Sequence, residues 1–206
     1  SVRRHFEDVP RDGARRIVQL PWAVARAATC LSYDDAVAML DAVARQSSRA
    51  LLSDALDIVG TRRSDLARDL RLDVDGAARS AIETRIRLGL RRAGLAVAAG
   101  VLVPGVGEVD LLVEGVLIVE LDGFAYHSGR AEYVRDRRRD RSGLRLGVLT
   151  IRFAYEDCDL EIVLAAVRRA LASIGPHGLS PAPDVTDAER SRWESVRALA
   201  TCPASR

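Results

Sequence analysis

Apolar positions recur at three- and four-residue spacing through the first third of the chain. Over 33–46, Ala36, Val37, Leu40 and Val43 share one face, and Ser32 with Asp35 supplies the start signal of a helix. The same period continues over 50–59 until Gly60 and predicts a further short helix over 64–70. The acids between them, Asp34, Asp41, Asp54 and Asp57, read as the solvated faces of amphipathic helices. A strong helix follows over 80–93, with Ile82, Ile86, Leu88 and Leu90 apolar and Gly94 as its stop. The period then shortens. Three strand-like runs, 95–103, 106–113 and 116–122, are divided by Pro104-Gly105 and Glu114-Gly115. A charged helix over 130–143, an apolar run rich in β-branched residues over 146–153 and a helix over 156–174 complete the pattern.

Helix, three strands, helix, strand, helix is the order of an α/β fold with a mixed sheet between helical layers. The chain divides on this reading into a helical region (1–75), an α/β domain (76–175), and a Pro/Ser-rich linker with a short terminal helix (176–206). Thr186 and Glu189 cap that last helix, which carries Trp193.

Composition narrows the function classes. The most apolar stretch, 111–119, is broken by Glu114 and bounded by Asp110 and Glu120, far short of the ~20 apolar residues of a membrane span. No apolar signal segment follows Arg3, Arg4, His5, Glu7 and Asp8. Cys30, Cys158 and Cys202 are too scattered for a disulfide framework or a zinc site, so a cytoplasmic protein is expected. The 31 basic side chains are all arginine, and the net charge is only +2. Any nucleic-acid footprint is therefore a local patch. Without lysine, proton transfer near neutrality falls to histidine or a carboxylate.

The chemistry concentrates around Glu108, Asp110, Glu120, Asp122 and His127. Strand interiors exclude carboxylates unless something positive compensates, and oxygen ligands with open water positions suit a magnesium or manganese ion (Mg²⁺ or Mn²⁺). Strand pairing decides whether the acids meet. A strict two-residue hairpin at Glu114-Gly115 would place Asp110 opposite Val119, with Glu120 on the other face. An odd or bulged loop, which Gly115 permits, would bring Asp110 opposite Glu120, and this is the arrangement expected. Alternation puts Glu120 and Asp122 on one face, with the Leu121 carbonyl between them as a further oxygen.

An acid on the second strand, Glu120 and Asp122 on the third, and the upstream helical Glu83 resemble the PD-(D/E)XK nuclease core. More closely, Glu120, Asp122, Gly123 and His127, the arginine triplet 137–139 between Asp136 and Asp140, and the segment 147–153 resemble the very-short-patch-repair endonuclease relatives. The resemblance covers roughly 80–171 and implies a three-layer restriction-endonuclease-like core. It implies a metal held by Asp110, Glu120 and the Leu121 carbonyl, with Glu83 holding a metal-bound water. Asp122 stands where the wider superfamily keeps lysine, so His127 is the best proton-transfer group. The implied activity is metal-dependent hydrolysis of DNA phosphodiesters, by cutting or nicking.

Seven arginines against three acids give 130–145 a local charge of +4. Arg135, Arg138, Arg139, Arg141 and, on the next strand, Arg152 are the candidates for nucleic-acid phosphates. Val134, Arg138 and Arg141 share a helix face, and Val134 packing inward would aim both arginines at the sheet edge. Simpler readings stand beside these. Ser80 and Glu83 form a capping box that helix stability alone explains, and the arginine run also suits a solvated face. The rival function is a catalytically inactive module that binds nucleic acid or protein in a toxin–antitoxin or defence system, with a protein partner at the N-terminal helices.

Overall fold

The computed structural model describes residues 17–122 and 130–201, the side chains of 130–133, 135 and 136 apart. The chain forms two compact units, Ser1–Gly76 and Ala77–Arg206. Among the described residues, no helix is long and apolar enough to cross a membrane.

The first unit is helical: α1 (Leu20–Cys30), α2 (Tyr33–Gln46), α3 (Arg49–Gly60) and α4 (Ser64–Asp73). Helix α1, which the spacing of apolar residues does not single out, is opened by Pro21 in its first turn, where proline's fixed φ and missing N–H are tolerated. Ser32 and Ser48 cap the next two helices by accepting the N–H groups of Asp35 and Leu51. Val24, Val37, Leu40, Leu56, Val59 and Leu70 are buried. Asp41 is buried as well, and it accepts the Asp75 N–H at 2.6 Å.

The second unit is α/β. Helix α5 (Ala81–Arg92) precedes β1 (Val97–Val103), β2 (Gly107–Val113) and β3 (Leu117–Asp122). Helix α6 (Arg130–Arg145), β4 (Leu149–Ala154), a single 3-10 turn, α7 (Leu160–Ile174) and α8 (Asp187–Thr201) follow. The sheet order is β1-β2-β3-β4; β1–β2 and β2–β3 are antiparallel and β3–β4 is parallel. Ile86 and Leu90 of α5 and Val163 and Val167 of α7 pack on one face, against Leu111, Val113, Leu117 and Val119. Trp193 and Ala200 of α8 pack on the other, with Val109, Leu112, Ile118 and Val148. The two central strands, β2 and β3, are buried on both faces over most of their length, which is why they read as nearly continuous apolar runs.

The fourth strand begins later than its apolar run suggests. Leu146, Gly147 and Val148 close the end of α6: the Leu146 N–H reaches Ser142 O and the Val148 N–H reaches Gly143 O, with Gly147 at φ +81°. That left-handed backbone ends a helix readily and interrupts a strand.

One irregularity positions the site. The β1–β2 ladder runs from Val97↔Val113 to Val103↔Gly107 without the pair that would join Gly100 to Asp110. Gly100 has φ +58°, and a Cβ there would lie 2.9 Å from both the Cβ and the carbonyl oxygen of Ala77. Across this point the inward faces switch. Val97, Ala99 and Leu111 belong to the α5/α7 side, whereas Val101, Val103 and Val109 belong to the α8 side. A glycine in left-handed conformation thus lets the segment before α5 cross close to the sheet beside Asp110.

Candidate functional site

The β2–β3 connection sets the register. The Val116 N–H donates to Val113 O at 3.1 Å across Glu114 and Gly115, both at positive φ (50° and 63°). The ladder resumes at Val113↔Leu117 and continues to Leu111↔Val119, so Val116 is an extra residue. The odd loop expected from Glu114-Gly115 is present, and its register carries Asp110 to the position opposite Glu120. Glu114 reinforces the turn, its carboxylate accepting the Ala96 N–H at 2.8 Å.

Regular pairing stops at the acids. The Leu121 N–H donates to Asp110 Oδ2 at 2.8 Å, and the Asp110 N–H donates to Glu120 Oε2 at 3.4 Å. The remaining oxygens meet arginines. Arg79 Nη2 lies 2.6 Å from Asp110 Oδ1, with Nη1 3.9 Å from Glu108 Oε2. Arg139 Nη2 lies 3.1 Å from Glu120 Oε1, while the same side chain donates to Val106 O at 2.9 Å and to Glu108 O at 2.7 Å.

Glu83 completes the group from α5. Its N–H is capped by Ser80 Oγ at 3.1 Å, and its Oε2 accepts the Arg79 N–H at 2.7 Å. The capping role expected of this residue is therefore realised, with the N–H that its carboxylate accepts donated by Arg79, one residue before the cap residue that donates in a standard box. Burial pushes the Glu83 carboxyl up; the Arg79 N–H opposes this, and the charge of Asp110 adds to it. Glu120 is pushed up to about 7, first by burial and then by Asp110, with Arg139 pulling the other way. Glu83, Asp110 and Glu120 are thus three buried acids from α5, β2 and β3 whose charges repel.

The other sequence-derived candidates fall in different places. Asp122 is exposed at the end of β3, and Leu121 is buried, its N–H committed to Asp110. His127 and the side chain of Arg135 lie outside the described residues. On α6 the expected inward face is corrected: Val134, Arg138 and Arg141 are exposed, and the arginine that reaches the sheet edge is Arg139. The helix packs through Gly143 and the Leu146 that follows it, which places Arg139 on its inner side and leaves lone Val134 outside. Arg152 stands in register with Glu120 across β3–β4 and pairs with Asp140 at 2.7 Å. The adjacent Arg152 guanidinium holds the Asp140 carboxyl below its ordinary range.

Arg79 completes the site, and no catalytic or binding role for it follows from the sequence. Nothing in the local pattern distinguishes it from any arginine ahead of a helix cap; only its ion pair with Asp110 does, two residues after Ala77 crosses Gly100. Among the described residues, no group of three or more His, Cys, Asp and Glu side chains is arranged to hold a metal ion. No known protein family, curated protein or solved structure matches the chain.

Proposed function

We propose that the second unit is a metal-dependent endonuclease of restriction-endonuclease-like architecture that cuts or nicks DNA. The observation that carries this reading is the placement of Asp110 opposite Glu120, both buried, with Glu83 near enough for its carboxyl to feel the charge of Asp110. The order helix, antiparallel three-strand meander, helix, parallel fourth strand, helix supports the same architecture.

The donor set suits a magnesium or manganese ion in its chemistry: hard oxygens, with a Glu120 carboxyl that burial and then the charge of Asp110 push up against the pull of Arg139. Asp110, Glu120 and the Leu121 carbonyl would hold it. When bound, such an ion lowers the pKa of water and offsets charge on a phosphate. The chain's own groups do the rest. The Leu121 N–H fixes the orientation of Asp110, and Glu83, anchored at the start of α5, orients a water. His127 is assigned as proton acceptor and Asp122 as an outer acid at the strand end. Arg138 and Arg141, exposed on α6, meet flanking phosphates, with Arg139 and Arg152 nearer the acids.

A second reading has its own support. All four carboxylate oxygens of Asp110 and Glu120 already accept an N–H or guanidinium donor. This is the state expected of a catalytically inactive module that binds nucleic acid or a protein partner. Incubating supercoiled plasmid with Mg²⁺ or Mn²⁺ separates the two. Nicking by the native chain that is lost in Asp110→Ala and Glu120→Ala supports the nuclease. No cleavage with either ion supports the binding module.

A further inference from the structure

Arg79 differs from every other arginine around the acids in how it is held. Its main chain is fixed, because its N–H is bound by Glu83 and the next residue, Ser80, caps α5. Its guanidinium meets only carboxylates among the described residues, Asp110 at 2.6 Å and Glu108 at 3.9 Å. The side chain is 48 % exposed. Arg139 is the contrast: two of its hydrogen bonds go to main-chain carbonyls of Val106 and Glu108, it ties α6 to the start of β2, and only 28 % of its side chain is exposed. Moving Arg139 would orphan main-chain acceptors and unfasten a helix. Moving Arg79 breaks only ion pairs that water screens on one side.

Each residue beside Arg79 suits such a movement. Asp110 retains the Leu121 N–H on its other oxygen, so its orientation survives loss of the arginine. Glu108 is half exposed and two residues before Asp110 on the same strand, where it can keep the guanidinium at the site after Asp110 has released it.

We propose that Arg79 is a displaceable counter-ion of the acid pair: it occupies Asp110 Oδ1 in the resting protein, yields that oxygen to an incoming divalent cation, and turns to Glu108 and the substrate phosphate. This deepens the reading of Asp110 and Glu120 as a cation site and rests on it. Binding of the cation then presents a fork of guanidinium donors to a phosphate, an arrangement arginine is built to supply. A merely structural ion pair makes the opposite forecast, since its loss loosens the site and weakens whatever binds there.

Calorimetric titration of the full chain with Mn²⁺ alone tests the proposal. Arg79→Gln should bind Mn²⁺ roughly tenfold more tightly than the native chain, the scale of one charge-assisted hydrogen bond no longer competing. Arg79→Lys, which keeps the charge but cannot fork between Asp110 and Glu108, should fall between them, and Asp110→Asn should abolish binding. Circular dichroism reports whether each variant is folded; if Arg79→Gln is not, Arg79→Lys decides alone by binding more tightly than the native chain. Equal or weaker affinity in the folded Arg79 variants, with Asp110→Asn still abolishing it, overturns displacement and leaves the cation site standing. No Mn²⁺ binding by the native chain or either Arg79 variant overturns both.

Discussion

Asp110 and Glu120 clasp each other's strands at the end of the β2–β3 ladder: Asp110 Oδ2 accepts the Leu121 N–H at 2.8 Å, and Glu120 Oε2 accepts the Asp110 N–H at 3.4 Å. The acids thus stand in for main-chain carbonyls, which fixes their carboxylates without the help of a ligand. Substitution at Asp110 consequently touches both fold and chemistry, and the two effects are separable. Asp110→Asn keeps an oxygen for the Leu121 N–H and should remain folded, with a stability loss of about 1–3 kcal/mol as the charge partner of Arg79 disappears. Its nicking rate should fall roughly a thousandfold or more. Initial rates on supercoiled plasmid, paired with urea titrations, measure both; a folded Asp110→Asn chain that nicks within tenfold of the native rate removes Asp110 from the chemistry.

The close approach of Ala77, two residues before Arg79, depends on Gly100. Alanine there would adopt φ +58° and press its Cβ to 2.9 Å from the Ala77 carbonyl oxygen, whereas a methyl group added at Gly94, where φ is +86°, would meet nothing within 4 Å. Both substitutions carry the cost of left-handed backbone, about 1 kcal/mol or somewhat more, but only Gly100→Ala adds a clash with main chain. Urea midpoints should therefore rank the native chain above Gly94→Ala and Gly94→Ala above Gly100→Ala. The reverse order of the two variants would mean that the segment before α5 does not cross the sheet at Gly100.

These two sites show what is legible in the sequence and what is not. Glu114-Gly115 is a local signal, since a glycine that accepts positive φ between apolar runs permits a bulged turn, and the register then follows by counting. The helical first third and the order of strands and helices follow from apolar period in the same way. The kink at Gly100 has no such mark, because a glycine among small residues in a strand reads the same whether or not another segment crosses it. Arg79 is hidden for that reason. The inner face of α6 misleads because Val134 is the helix's one branched apolar residue before Leu144, and packing through glycine and the post-helical Leu146 overrides it. Likewise the apolar run 146–148 lies in a helix-ending turn, where the left-handed Gly147 outweighs β-propensity.

Proton binding gives a further check on the buried acids. Glu120 is pushed up from 4.5 to about 7 by burial and Asp110, against Arg139 and Arg152. A carboxyl whose pKa is higher in the folded chain binds more protons there than when unfolded, so its contribution to stability is present below about pH 4.5 and is lost as pH rises to about 7. Glu120→Gln cannot ionise and escapes that loss. In chelator, urea unfolding across this window should show the stability of Glu120→Gln gaining on the native chain as pH rises, with the difference levelling off near neutrality. A difference that stays constant with pH would mean that Glu120 titrates normally in the folded protein.

Arg138 and Arg141 are exposed on α6, whereas Arg139 is spent on Val106, Glu108 and Glu120, and Arg152 on Asp140. If polynucleotide phosphates are neutralised by this helix, the exposed pair is best placed to do it, because both side chains stand on its solvent side, away from the buried acids. Each lost phosphate contact lowers the slope of log affinity against log salt by about 1 for duplex DNA. Arg138→Ala with Arg141→Ala should therefore lower that slope by roughly 2 and weaken binding similarly for duplexes of unrelated sequence. Arg152→Ala should instead disturb Asp140 on α6 and change the slope little. Filter binding at several salt concentrations reads these effects, and an unchanged slope in the double variant would leave the outer face of α6 as solvated surface.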